Sequence, residues 1–160
     1  MILGLFAASL VFVLDQFSKF WALQFVLDNG SPYKVCDCFN IVSALNKGVS
    51  FSMFDNSGVI GQVCLTIFAL VVVLFLLHWM KTENSKFVQC ALGLIIGGAL
   101  GNVADRLRVG AVYDFLDFHY KTYHWPAFNV ADTFICLGAF LIILHAFLNR
   151  KKISLKEINK

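Results

Sequence analysis

Four apolar runs, each long enough to cross a bilayer as a single helix, take up most of this 160-residue chain and constrain its fold more than any other feature. A membrane span needs about 20 mostly apolar residues, and the runs lie at about residues 2–27, 59–80, 87–103 and 128–148. At 59% hydrophobic and 14% charged residues, the composition excludes a soluble globular domain, in which about a quarter of residues are charged. The sequence predicts an all-α polytopic membrane protein with four transmembrane helices, residues 1–160 forming one domain. Residues 28–58 mix Gly, Pro, Asn and Asp with short runs such as Phe39-Asn40-Ile41-Val42, so a small extended or β region is expected in this first long loop.

The placement of Lys and Arg predicts the orientation. Lys81 and Lys86 flank the short turn between the second and third spans, and Arg150, Lys151, Lys152, Lys156 and Lys160 follow the fourth. Basic residues of this kind favour the cytoplasmic side, which puts both termini in the cytoplasm and the two long loops outside. The net charge of +3 gives no reason to expect a nucleic-acid partner. A cleavable signal peptide is a poor reading of residues 2–27. No Lys or Arg precedes the apolar run, Asp15, Gln16, Ser18 and Lys19 interrupt it, and no small-residue cleavage site follows.

Ionisable groups beside such spans are costly and point to function. Asp15 and Lys19 are four apart, an ion-pair spacing on one helix face with the acid N-terminal to the base. Gly93, Gly97 and Gly101 clear another face for close helix approach, leading to Asn102 and Asp105. Residues 106–125 read as a second outer loop, extended or half-helical, and Asp114 lies there between Tyr113 and Phe115. Asn129 and Asp132 open the last span, where an N-cap and a favourable charge at the positive helix end would account for both.

The residue inventory eliminates several chemistries. The chain has no His-Glu-x-x-His zinc motif, no Gly-x-Ser-x-Gly elbow and no Gly-rich phosphate loop. His119 and His124 are candidate bases in the outer loop, but no serine or cysteine stands out as their nucleophile. Ser18 and Lys19 point about a hundred degrees apart on a helix. Of the five cysteines, Cys64, Cys90 and Cys136 fall in apolar segments, and the Cys36-x-Cys38 pair alone is a weak sign of a metal or redox site. Carboxylate chemistry remains. Two neighbouring aspartates share a proton, so one activates water while the other polarises a carbonyl and protonates the leaving amine. This route needs neither metal nor cofactor. The other classes open to such a chain are a channel or transporter using its buried charges as an ion path, and a structural subunit using them to join helices.

Five motifs in series resemble the lipoprotein signal peptidases, also called signal peptidase II. They are Asp15-x-x-x-Lys19, Asn46-x-Gly48-x-x-Phe51, Gly98-Ala99-Leu100-Gly101-Asn102-x-x-Asp105-Arg106, Val112-Tyr113-Asp114-Phe115 and Phe128-Asn129-Val130-Ala131-Asp132. Tyr113 stands where the family often has a β-branched residue. The resemblance implies an aspartic endopeptidase of the bacterial cytoplasmic (inner) membrane, with its active site near the outer face. Its substrates would be diacylglyceryl-modified prolipoproteins held in membrane lipid, cut just before the lipidated cysteine. It also implies that Asp114 and Asp132 are the catalytic pair. Asp15, Lys19, Asn46, Gly48, Asn102, Asp105, Arg106, Asn129 and Ala131 would bind substrate or support the pair, with no metal ligand among them.

Overall fold

A computed structural model describes residues 1–48 and 58–158. Phe51, the last residue of the Asn46-x-Gly48-x-x-Phe51 motif, lies outside the described residues. In chain order the elements are α1 (Ile2–Asn29), β1 (Tyr33–Cys36), β2 (Phe39–Asn46), α2 (Gly58–Thr82), α3 (Lys86–Val109), β3 (Val112–Tyr120), β4 (Tyr123–His124) and α4 (Val130–Ile158). All four helices are long and apolar enough to cross a membrane.

Their surfaces are inverted relative to a soluble protein. Phe17, Phe20, Phe68, Leu74, Phe75, Ile143 and Phe147 point outward and are more than half exposed. Continuous apolar surface of this extent is stable only against a partner or lipid. α3 is the central helix, packing on α1, α2 and α4. The glycine spacing explains how. A side chain at Gly93 or Gly97 would collide with the α1 backbone at Gly4 or Ala8, and one at Gly98 would collide with Ala131 of α4. On the α2 side, Val73, Leu76 and Met80 interlock with Val88, Leu92 and Ile96.

α3 begins at the Ser85 cap, whose Oγ accepts the Val88 N–H at 3.4 Å. It runs past the expected end at residue 103 and stops only at Gly110, where φ is 70° in the left-handed region and the N–H donates to the Arg106 carbonyl at 3.0 Å. Arg106 is therefore helical rather than the start of a loop. A glycine takes up this conformation without strain, so the stop signal was Gly110.

Both long loops contribute to one antiparallel sheet, ordered β1-β2-β3-β4. The second loop is thus extended rather than half-helical. β2 pairs with β3 from Phe39↔Phe118 to Asn46↔Val112 with an irregularity between Ile41 and Ala44, joining segments about 70 residues apart in sequence. Tyr113 and Phe115 pack with Ala22 and Val130, seating β3 over α1 and the start of α4. The N-terminal ammonium reaches Gln89, and Phe87 stacks on His145 at 5.2 Å, so the termini and the α2–α3 turn share the end opposite the sheet.

Candidate active site

Below the sheet, α1 and α3 meet through charge. Lys19 Nζ lies 2.8 Å from Asp15 Oδ2 and 2.7 Å from Asp105 Oδ2, all three residues being at most 8% exposed. The same ammonium donates to Asn102 Oδ1 at 3.1 Å. Asp15 in turn accepts the Ala131 N–H at 2.8 Å, a free helix-start donor of α4. Gly101 leaves the space Asp15 occupies, since a Cβ there would collide with the carboxylate. A buried pair of this kind survives because each charge has several partners.

Gln16 belongs to this network although only its position beside Asp15 hinted at it. Its amide donates to Asp105 Oδ1 at 3.0 Å and accepts from Arg108 at 2.7 Å. Further toward the opposite membrane end, contacts between α1, α3 and α4 involve glycine, alanine and aliphatic side chains. Among the described residues the buried ionisable groups therefore gather at one end of the bundle instead of forming a path along it, which counts against a channel.

Asp114 and Asp132 reach the top of this network from different elements. Phe128 exchanges backbone hydrogen bonds with Leu116 at 2.9 and 3.1 Å, drawing the chain before α4 alongside β3. That fixes Asn129 between the carboxylates. Its Nδ2 donates to Asp114 Oδ1 at 2.7 Å, while its Oδ1 accepts the Asp132 N–H at 3.0 Å and its own N–H donates to Asp132 Oδ2 at 3.4 Å. The last two bonds are a reciprocal helix cap; the capping role expected of Asn129 is thus real and coexists with its contact to Asp114. Asn102 Nδ2 donates to Asp132 Oδ1 at 2.8 Å, so each aspartate is held by the side chain of an asparagine.

The first loop completes the setting. Asn46, at the end of β2, donates to Asp114 Oδ2 at 3.0 Å and accepts the Gly48 N–H at 3.0 Å. Asp114 is 2% exposed. Burial first, and the neighbouring Asp132 charge second, push its carboxyl up to about 6, against the lowering hydrogen bonds from Asn46 and Asn129. A carboxyl raised in this way beside a second carboxylate is suited to sharing one proton with it.

Arg106 is half-buried, and its Nε has no hydrogen-bond partner among the described residues. It lines an apolar cavity of about 550 Å³ together with Lys47, Gln62, Thr66 and Leu107. A second cavity of about 480 Å³ has Asp132, Phe128 and Trp125 in its wall. A donor left free at the edge of an apolar cavity is suited to a peptide carbonyl.

Asp117 stands apart from the other charges of its stretch. It accepts from Asn40 at 2.8 Å and lies 2.9 Å from His124 Nδ1. Burial raises its carboxyl, but the hydrogen bonds from Asn40 and His124 outweigh that and hold it below the usual range. His124 is therefore paired with Asp117, and His119 stacks on it at 4.8 Å. Among the described residues no three His, Cys, Asp or Glu side chains converge as metal ligands.

Known proteins resemble the chain over nearly its whole length. The family described as Signal peptidase (SPase) II matches residues 7–148. A lipoprotein signal peptidase of Aeromonas hydrophila is 43% identical over 92% of this chain and 90% of its own. One from Alteromonas mediterranea is also 43% identical, over 94% of this chain and 83% of its own. A bacterial membrane enzyme solved by the in meso method at 2.3 Å superposes with a TM-score of 0.77 at 27% identity, covering 93% of this chain and 90% of that one.

Proposed function

The chain belongs to the signal peptidase II family, and from that premise we propose that it removes signal peptides from bacterial prolipoproteins by aspartyl chemistry at Asp114 and Asp132. The observation that carries the aspartyl reading is Asn129, whose amide holds Asp114 while its backbone and side chain cap the helix turn bearing Asp132. One carboxylate takes a proton from water as the water attacks the scissile carbonyl. The other, protonated, donates to that carbonyl oxygen, and a proton then passes to the departing amine. Asn46, Asn102 and Asn129 keep both groups aimed, and beneath them the Asp15–Lys19–Asp105 triad joins α1 to α3, with Asp15 also accepting the Ala131 N–H of α4. Gly48 and Ala131 contribute backbone N–H groups to this support. Incubating the purified protein in detergent with a lipidated prolipoprotein tests the reading: a shorter product supports it, and an unchanged substrate refutes it.

The proposed location is the bacterial cytoplasmic membrane, with both termini inside and the site near the outer face. Lys81, Lys86 and the basic C-terminal segment support this orientation, because they belong to the end opposite the sheet. The substrate is taken to be a prolipoprotein whose cysteine carries diacylglycerol, cut on the N-terminal side of that cysteine.

Arg106 is assigned to the substrate backbone. Its guanidinium can make several directed bonds that an ammonium cannot reproduce. Arg106→Lys is expected to lower kcat/KM by about tenfold, one lost charged hydrogen bond of about 1.5–3 kcal/mol being the scale. Wild-type kinetics would remove Arg106 from the site.

The shared proton has a pH signature. In the free enzyme it is lost as pH rises through about 6, the value at Asp114, so kcat/KM is expected to fall on the alkaline side from there. Asp132→Asn removes the neighbouring charge, and the Asp114 carboxyl is then expected to titrate lower than in the wild type. An NMR titration of side-chain-labelled aspartate reads this directly. An Asp114 that titrates equally high or higher in the variant would show that the two carboxylates do not feel one another.

A further inference from the structure

Away from the aspartates, one pair of thiols is in contact among the described residues. Cys36 ends β1, Asp37 and Cys38 form the turn, and Phe39 opens β2. The two sulfurs lie 3.3 Å apart, and both side chains are exposed. Cys64, Cys90 and Cys136 sit singly on α2, α3 and α4.

We propose that Cys36 and Cys38 are a reversible dithiol–disulfide couple at the tip of the β1–β2 hairpin, oxidised by exchange with a disulfide-bearing small molecule or oxidoreductase. Thiols can be joined only where their side chains already point at each other, and this turn holds them so. Cys36 is paired opposite Phe39, the Cys38 carbonyl accepts the His119 N–H at 2.9 Å, and Lys34 lies 2.6 Å from Asp37 across the turn.

The two thiols are not equivalent. Hydrogen bonds from the Cys38 backbone N–H and thiol hold Cys36 below the usual thiol range, whereas the same contact with Cys36 raises Cys38. Cys36 is therefore the attacking thiolate. It displaces one thiolate from the oxidant's disulfide, giving a mixed disulfide. Cys38 then loses its proton to water and attacks the Cys36 sulfur, expelling the second thiolate. Two cysteine thiols are oxidised, one external disulfide is reduced to two thiols, and two electrons move. An outer-face hairpin would meet an oxidising compartment; that setting rests on the proposed orientation, whereas the exchange itself does not.

The test uses the full-length protein in detergent, equilibrated with oxidised glutathione, alkylated and analysed by peptide mass. Expected is a Cys36–Cys38 peptide two hydrogens lighter that takes no alkylating reagent, with reduction restoring both thiols. Cys36→Ser and Cys38→Ser, surface changes at a turn, should each abolish the lighter species and leave glutathione on the remaining cysteine. Full alkylation of both residues in oxidised buffer would overturn the proposal. Separate glutathione adducts on each cysteine of the wild type would do so too, as would protection that a chelator removes. Prolipoprotein cleavage assayed on the same samples reports separately on the peptidase reading, since thiol state and product formation are read independently.

Discussion

Asp114→Asn and Asp132→Asn are each expected to lower kcat/KM for a lipidated prolipoprotein by about 10³-fold or more, with the protein still inserted in the membrane. General acid–base catalysis contributes about 10²–10⁴-fold, and in a pair that shares one proton either loss removes both functions. The amide keeps the shape of the carboxylate and, through its one oxygen, one of the two side-chain acceptor positions that Asn46 and Asn129 use at Asp114, or Asn102 and the Asn129 N–H use at Asp132, so the fold is expected to persist. Asp105→Asn makes the contrast. Asp105 bonds Lys19, Gln16 and the Tyr113 N–H, and Lys19 retains Asp15 and Asn102 when it changes. A loss of about tenfold, accompanied by lower thermal stability, is expected there from weakening a buried pair. Activity in Asp114→Asn with none in Asp105→Asn, at equal expression, would show that the wrong aspartates are paired.

Removing the lipid from the substrate is the second large effect. Asp114 and Asp132 lie at one end of a helical bundle whose flanks are apolar, and the cavities beside Arg106 and Asp132 have largely apolar walls. A substrate whose acyl chains remain in the bilayer is delivered to that depth. Each buried methylene is worth about 0.8 kcal/mol, and even one myristoyl chain partitions with a constant of about 10⁴ M⁻¹. Two chains therefore outweigh any single peptide contact as a localisation effect. Matched precursors with and without diacylglycerol are expected to differ by at least about 100-fold in kcat/KM on this scale, while varied signal-peptide sequences are accepted. Small residues should be favoured beside the cut, since the backbone must approach Asp114 and Asp132 closely. Equal rates for the two precursors would refute lipid-based selection and leave the aspartyl chemistry standing.

What the sequence determined by itself is what a single helix determines. Apolar run length predicted four membrane-crossing helices, because a bilayer admits backbone only with its own hydrogen bonds satisfied. The spacing of Asp15 and Lys19 predicted their ion pair, and the glycines at 93, 97 and 101 predicted the face on which α3 meets α1. Each is a matter of neighbours three or four residues apart, which the 3.6-residue turn fixes. The motif resemblance pointed to Asp114 and Asp132, but residue spacing alone did not distinguish them from Asp105 or Asp117. Only the tertiary structure separates these four. The β2–β3 register delivers Asn46 to Asp114, and the Leu116–Phe128 bridge sets Asn129 between the carboxylates. Asn40 and His124 draw Asp117 into a group of its own, and Lys19 holds Asp105 among the helices. Those pairings join residues far apart in the chain, where strand register rather than local periodicity chooses the partner, and a slip of one residue would turn every side chain to the other face.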